Sequence, residues 1–110
     1  MGIIVFYEGN NGTQNIVQTV EDTAGQNFRP VKNDEIRSMK LYGVRRDCQI
    51  TVFDSPDGAM NDDFAIVNVK KISPEYTVNT FERSYEDDTV VVSFIRNNGL
   101  DGKISRIKID

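Results

Sequence analysis

An all-β fold, two antiparallel sheets packed as a sandwich, is what this chain predicts, and three observations predict it. Short β-branched and aromatic runs recur along its 110 residues. Gly, Asn and Asp turns separate those runs. The order strand, polar turn, strand, long loop, Asn/Asp loop, strand then occurs twice. A four-stranded Greek key cannot bury its apolar face alone, so two such motifs should pack face to face, over residues of about 2–43 and 47–110.

Ile3-Ile4-Val5-Phe6-Tyr7 reads as the opening strand, and Asn11-Gly12 as a hairpin turn feeding a partner strand at 15–20. Residues 21–32, with Gly25 and Pro30, lack a helical stripe and read as a loop anchored by Phe28. The polar stretch Asn33-Asp34-Glu35-Ile36-Arg37-Ser38 leads into a strand at 39–42, and 43–47 links the halves. Ile50-Thr51-Val52-Phe53 restarts the pattern, followed by Ser55-Pro56-Asp57-Gly58 as a turn and Phe64 to Val69 as the matching strand. Aligning Phe6 with Phe53 makes the second turn one residue shorter than the first. Near the other end, Asp101-Gly102-Lys103-Ile104-Ser105-Arg106 echoes the Asn33 stretch. Aligning Ile36 with Ile104 pairs Met39 with Ile107 and Leu41 with Ile109.

The second half is longer, and the surplus is placed at about 70–96 as an inserted β-hairpin. Its strands are expected at 76–83 and 89–95, joined through 84–88, with Asn97-Asn98-Gly99 as a further turn. Alternation assigns the core to Ile3, Val5, Phe28, Met39, Leu41, Ile50, Val52, Phe64, Ile66, Val92, Phe94, Ile107 and Ile109.

Composition removes several function classes. A net charge of -4, with only the short basic pairs Arg45-Arg46 and Lys70-Lys71, argues against a nucleic-acid surface. With no histidine there is no Ser-His or Cys-His nucleophile pair and no His-based zinc site. The single cysteine, Cys48, precedes an apolar strand and is expected as a buried structural thiol. No apolar run approaches a membrane span. The start, Met1-Gly2 and then a strand, carries no basic region or cleavage pattern, so cytoplasmic residence is the default expectation, with secretion left open.

The strand and hairpin starts Ile-Ile-Val-Phe-Tyr-Glu at 3–8 and Ile-Thr-Val-Phe-Asp-Ser at 50–55, the turn glycines Gly12 and Gly58, and the loop Asn33 to Ser38 together resemble the βγ-crystallin superfamily, in its microbial single-domain members. The resemblance covers most of 3–69 and 97–109. It implies calcium bound where the hairpin of one Greek key meets the Asn/Asp loop of the other. Carried over by position, the better site takes Asp101, Gly102 and Ser105 with Glu8 and Gly9. A degraded site takes Asn33 and Asp34 with Asp54 and Ser55, because Arg37 stands where the family has a hydroxyl ligand. A guanidinium has no lone pair to offer and repels the ion, so Arg37 should cripple this site or pair with Asp34 or Asp54.

Asn, Asp and Ser before a strand are turn formers as well as ligands, and Asn61-Asp62-Asp63 and Glu86-Asp87-Asp88 read first as solvated turns. Carboxylates near hairpin tips, without a cleft signal, do not make a hydrolase, and the chain is read as no enzyme. The functional expectation is a weak calcium-binding stability module. The alternative is a metal-independent module that uses 70–96 to bind or inhibit an unidentified protein partner, since long excursions from a rigid sandwich often carry function. Neither reading involves nucleic acid or a membrane.

Overall fold

Five β-branched or aromatic residues in succession commit the start of the chain to an extended strand, and the architecture builds outward from it. The computed structural model describes residues 2–30, 35–60, 62–96 and 104–110. Among these residues lie ten strands and no helix. They are β1 (Ile3–Tyr7), β2 (Ile16–Glu21), β3 (Gln26–Phe28), β4 (Ser38–Tyr42), β5 (Gln49–Phe53), β6 (Phe64–Val69), β7 (Tyr76–Val78), β8 (Tyr85–Glu86), β9 (Val90–Ile95) and β10 (Arg106–Ile109). No helix among them is long and apolar enough to cross a membrane.

Two antiparallel sheets form, with strand orders β2-β1-β4-β7 and β3-β10-β5-β6-β9-β8. Most of the first half builds the first sheet and most of the second half the other, but each half lends one strand across. β3 pairs with β10, setting Phe28 opposite Ile107 and Gln26 opposite Ile109. β7 pairs with β4, setting Val78 opposite Met39 and Tyr76 opposite Leu41. The two exchanges therefore share one register. One continuous core fills the space between the sheets, from Ile4, Phe6, Met39 and Leu41 on one side to Ile50, Val52, Ala65, Val67, Ile107 and Ile109 on the other.

The expected antiparallel sandwich is found, with several corrections. Residues 21–32 are not all loop: β2 runs through Glu21, and 26–28 form β3 on the edge of the second sheet. Three residues with one β-branched or aromatic side chain among them leave almost no periodic signal. Residues 76–83 do not make a hairpin with 89–95. Tyr76–Val78 belongs to the first sheet, and the hairpin partner of β9 is Tyr85–Glu86. The Asn97-Asn98-Gly99 turn lies outside the described residues.

Register slips by one in two strands. Ile4 and Phe6, rather than Ile3 and Val5, enter the core, and Ala65 and Val67, rather than Phe64 and Ile66, do so in β6. Every residue of β1 is apolar or aromatic, so alternation had nothing to alternate against. Phe64 points to the opposite face, where its ring meets Phe53 at 6.1 Å between centroids, and Phe94 is only partly buried.

The halves also align differently. Phe6 opposes Met39 and Val52 opposes Ile107, so Phe6 corresponds to Val52 and not to Phe53. The Glu8 N–H donates to the Asn15 carbonyl and the Asp54 N–H to the Asp63 carbonyl. The loops 8–15 and 54–63 are therefore counterparts, the second longer by two residues rather than shorter by one.

Chain direction then fixes where the polar loops sit. The link after β4 is pinned by Asp22, whose carboxylate accepts from the Arg45 N–H at 2.8 Å, while the Arg45 guanidinium donates to the Asp22 and Asp110 carbonyls. Gln49 and Asp110 exchange two backbone bonds at this same end. β1 and β5 both run away from it. Loops 8–15 and 54–63, and the chain entering β4 and β10, thus gather at the opposite end of the sandwich.

Candidate cation site at the hairpin end

The first hairpin is closed from two directions. Asn11 and Gly12 both take left-handed backbone, φ 63 and 64, as a tight Asn-Gly turn requires. The chain folds back over β4, bringing Ser38 beneath it with no exposure. The Ser38 hydroxyl donates to the Gly9 carbonyl at 2.5 Å and accepts from the Gly12 N–H at 2.8 Å. From the neighbouring position the Arg37 guanidinium donates to the Glu8 carbonyl at 3.0 Å. The Glu8 side chain points elsewhere, accepting from the Asn15 amide at 3.2 Å.

The second hairpin is closed differently. Arg106 occupies the register position of Ser38, since Ser38 opposes Tyr7 and Arg106 opposes Phe53 at the ends of their ladders. Its longer side chain reaches the Pro56 carbonyl at 2.8 Å and the Asn27 side chain at 3.1 Å. Ser105 is the counterpart of Arg37, for the Ser105 N–H bonds the Phe53 carbonyl as the Arg37 N–H bonds that of Tyr7. Ser105 is buried, 5 % exposed.

Within the second hairpin, Asp54, Asp62 and Asp63 converge: one carboxylate oxygen from each lies within 4.8 Å of the others. Asp63 is fully buried and the other two are half-buried. The cause is local. Asp54 and Asp63 are the residues that close the loop through their backbone, and the Asp63 N–H also bonds the Asp62 carboxylate at 2.9 Å. At the same end of the sandwich, one carboxylate oxygen of Glu35 is buried without a hydrogen-bond partner.

Of the ten positions singled out from the sequence, Glu8, Gly9, Arg37, Asp54, Ser55 and Ser105 are brought to this one end. Asn33, Asp34, Asp101 and Gly102 lie outside the described residues, as does Asn61. Sequence reasoning passed over Asp62 and Asp63 as a solvated turn. The signal that finds them is the antiparallel pairing of the loop ends, which puts Asp63 across from Asp54 although they are far apart in sequence.

Charge separates the two hairpins. The first carries a cation beside its carbonyls. In the second, the arginine is held at Pro56, and three carboxylates gather at the loop's base. Cys48 is buried at the far end, where burial pushes its thiol up and Arg45 pulls against that. No protein-family model, curated protein or solved structure matches the chain.

Proposed function

We propose that this chain is a non-enzymatic domain of βγ-crystallin type, built from two Greek keys, that takes up calcium at its second hairpin and gains stability from it. The Greek-key reading draws on the mutual loan of β3 and β7 in matched register, with β8 and β9 as the insertion of the longer half. The cation reading rests on one observation, the convergence of Asp54, Asp62 and Asp63. Three carboxylate oxygens held this close suit a hard dication, which takes six to eight oxygen ligands in flexible geometry. Asp54, Asp62 and Asp63 would hold the ion. Ser55 of the same loop, and Asn33 and Asp34 by the family resemblance, would complete the set.

This reverses the ranking that sequence alone gives. The site made by Glu8 and Gly9 with Asp101, Gly102 and Ser105 fits calcium poorly. The Glu8 and Gly9 carbonyls each already accept a hydrogen bond, and that of Glu8 accepts it from a guanidinium. At the dielectric of a protein surface, two like unit charges about 4 Å apart cost roughly 4 kcal/mol, and a dication doubles that.

Thermal unfolding in EDTA and in millimolar calcium tests the proposal, with Asp62→Asn alongside. Calcium at one hundred times its dissociation constant adds about 2.7 kcal/mol to the native state, so the parent melting temperature should rise by roughly 10 °C. Asp62→Asn keeps an oxygen to accept from the Asp63 N–H, so it should melt close to the parent in EDTA and should lose the calcium response. An equal melting temperature of the parent in both buffers sinks the reading.

A metal-independent interaction module is the second reading. It is favoured by the exposure of Ile72 and Ile95, 59% and 46%, at the two ends of the 70–96 stretch. A deletion that tests it must spare Tyr76–Val78, which the first sheet uses.

A further inference from the structure

We infer that Arg37 is the built-in cation of the first hairpin, holding residues 8–15 closed over the sheet without any metal ion. The inference goes beyond the calcium proposal and does not depend on it. Its starting point is a difference at one matched backbone position in the two halves. The Arg37 N–H and the Ser105 N–H make the same backbone bond in their respective halves, to the Tyr7 and Phe53 carbonyls. Their side chains therefore leave the backbone at equivalent places, yet one ends in a guanidinium and the other in a hydroxyl. Arg37 donates to the Glu8 carbonyl at 3.0 Å.

The rest of the hairpin is arranged around that contact. Ser38 clamps the next carbonyl, Gly9, and the Gly12 N–H. A Cβ on Gly9 would stand 2.5 Å from the Thr13 hydroxyl, so the loop would have to shift to admit one. A Cβ on Gly12 would stand 2.6 Å from the Lys40 stem. The loop is thus pressed onto β4 with two successive carbonyls turned toward donors from 37 and 38. Backbone carbonyls are among the ligands that oxygen-seeking cations take. Here the positive charge is covalently attached, so its effective concentration is fixed and independent of the medium. A charge-assisted bond of this kind is worth more than a neutral one. Tyr7 and Lys40 support the same edge, with the Lys40 ammonium 5.9 Å from the Tyr7 ring centre. The outcome is a first hairpin locked by a side-chain cation, where the second carries three converging carboxylates.

The test uses the whole chain in EDTA, where no divalent ion contributes. Arg37→Met keeps the aliphatic stem and removes the charge and the donor. It should melt roughly 5 °C below the parent, and backbone amides in 8–15 should exchange at least about tenfold faster while those in 54–63 keep the parent rate. Parent-like melting together with parent-like exchange in 8–15 overturns the inference. The unaltered protein gives a second readout should the variant not fold. A held guanidinium gives resolved, slowly exchanging Arg37 side-chain N–H signals with a nuclear Overhauser contact to Gly9, and freely averaged Arg37 signals overturn the inference as well. Failure of the calcium proposal is read separately, as a parent protein whose melting temperature is the same with calcium and with EDTA.

Discussion

Ser38 illustrates how a single small side chain can decide a loop. Its side chain is fully buried and acts as donor to Gly9 and acceptor from Gly12, so deleting the hydroxyl strands the carbonyl of a buried residue and the N–H of a half-buried one. Leaving such groups unpaired costs about 1–3 kcal/mol. Ser38→Ala should accordingly lower the urea midpoint by an amount equivalent to about 2 kcal/mol with an unchanged slope, whereas a loss below about 0.5 kcal/mol would mean that the hairpin stays closed without it. Gly2 is constrained as tightly at the opposite end. A Cβ there would lie 2.4 Å from the Val44 Cα and 2.6 Å from both the Gly43 carbonyl and the Asp22 carboxylate. Backbone cannot give way as a flexible side chain can, so Gly2→Ala should destabilise by roughly 1–3 kcal/mol, read by the same urea titration.

The hairpin of β8 and β9 shows what binds one element to the opposite sheet. The Tyr76 hydroxyl, on β7 of the first sheet, donates to the Asp87 carboxylate and lies 2.9 Å from the Tyr85 hydroxyl of the second. The other Asp87 oxygen accepts from the Thr89 and Val90 N–H groups, and Lys70 bonds Glu86 and the Asp87 carbonyl. Partial burial alone would raise the Asp87 carboxyl, but the bonds from Tyr76, Val90 and Thr89 outweigh it and hold the group below its ordinary value. Tyr76 and Tyr85 move the other way, up, because burial disfavours the phenolate; the bond to Asp87 adds to this at Tyr76, whereas the bond with Tyr76 offsets part of it at Tyr85. The signs give two pH limits. A lowered carboxyl contributes stability that is present above its unfolded value, near pH 4, and is lost as pH falls through the folded one. A raised phenol contributes stability that is present below about pH 10 and is lost as pH rises through the folded value. The melting temperature of the parent should therefore fall at both extremes, and Tyr76→Phe should flatten the acid limb. Parallel acid limbs for parent and variant would show that this cluster does not report on folding.

The same hairpin marks what the sequence could and could not reveal. Val90, Val92 and Phe94 alternate with smaller or more exposed neighbours, and β9 is legible from them. Tyr76–Val78 reads as a strand too, but nothing local says that it crosses to the first sheet, because partner choice is set by pairing with residues far away. β1 and β6 were legible as strands and illegible in register, since both faces carry apolar side chains. At the candidate site the loop residues were visible as Asn, Asp and Ser clusters. Which carbonyls were already bonded depended on the reach of Arg37 and Arg106, and the Asp54–Asp63 juxtaposition depended on loop length.

For the whole molecule, the consequence of exchanging β3 and β7 is that neither half is complete without the other. Each half's sheet is finished by a strand of its partner, and the core side chains of both halves belong to one cluster. Residues 2–47 and 48–110 expressed separately should each be largely unfolded by circular dichroism and regain strand signal on mixing. An independently folded half would contradict this. Both polar hairpins sit at one end of this shared core, so a cation bound there is bound only by the folded state, and its binding energy adds directly to stability.

Under the proposed function, cation binding belongs to the second hairpin and not to the first. Titrating calcium into metal-free, nitrogen-15-labelled protein and following backbone amides residue by residue tests it most directly. Saturable shifts are expected at 54–58 and 62–64, with 8–15 unmoved because Arg37 and Ser38 already engage the Glu8 and Gly9 carbonyls. Amide positions unchanged up to about 10 mM calcium, above the range of weak extracellular-type sites, or shifts centred on 8–15, would contradict it.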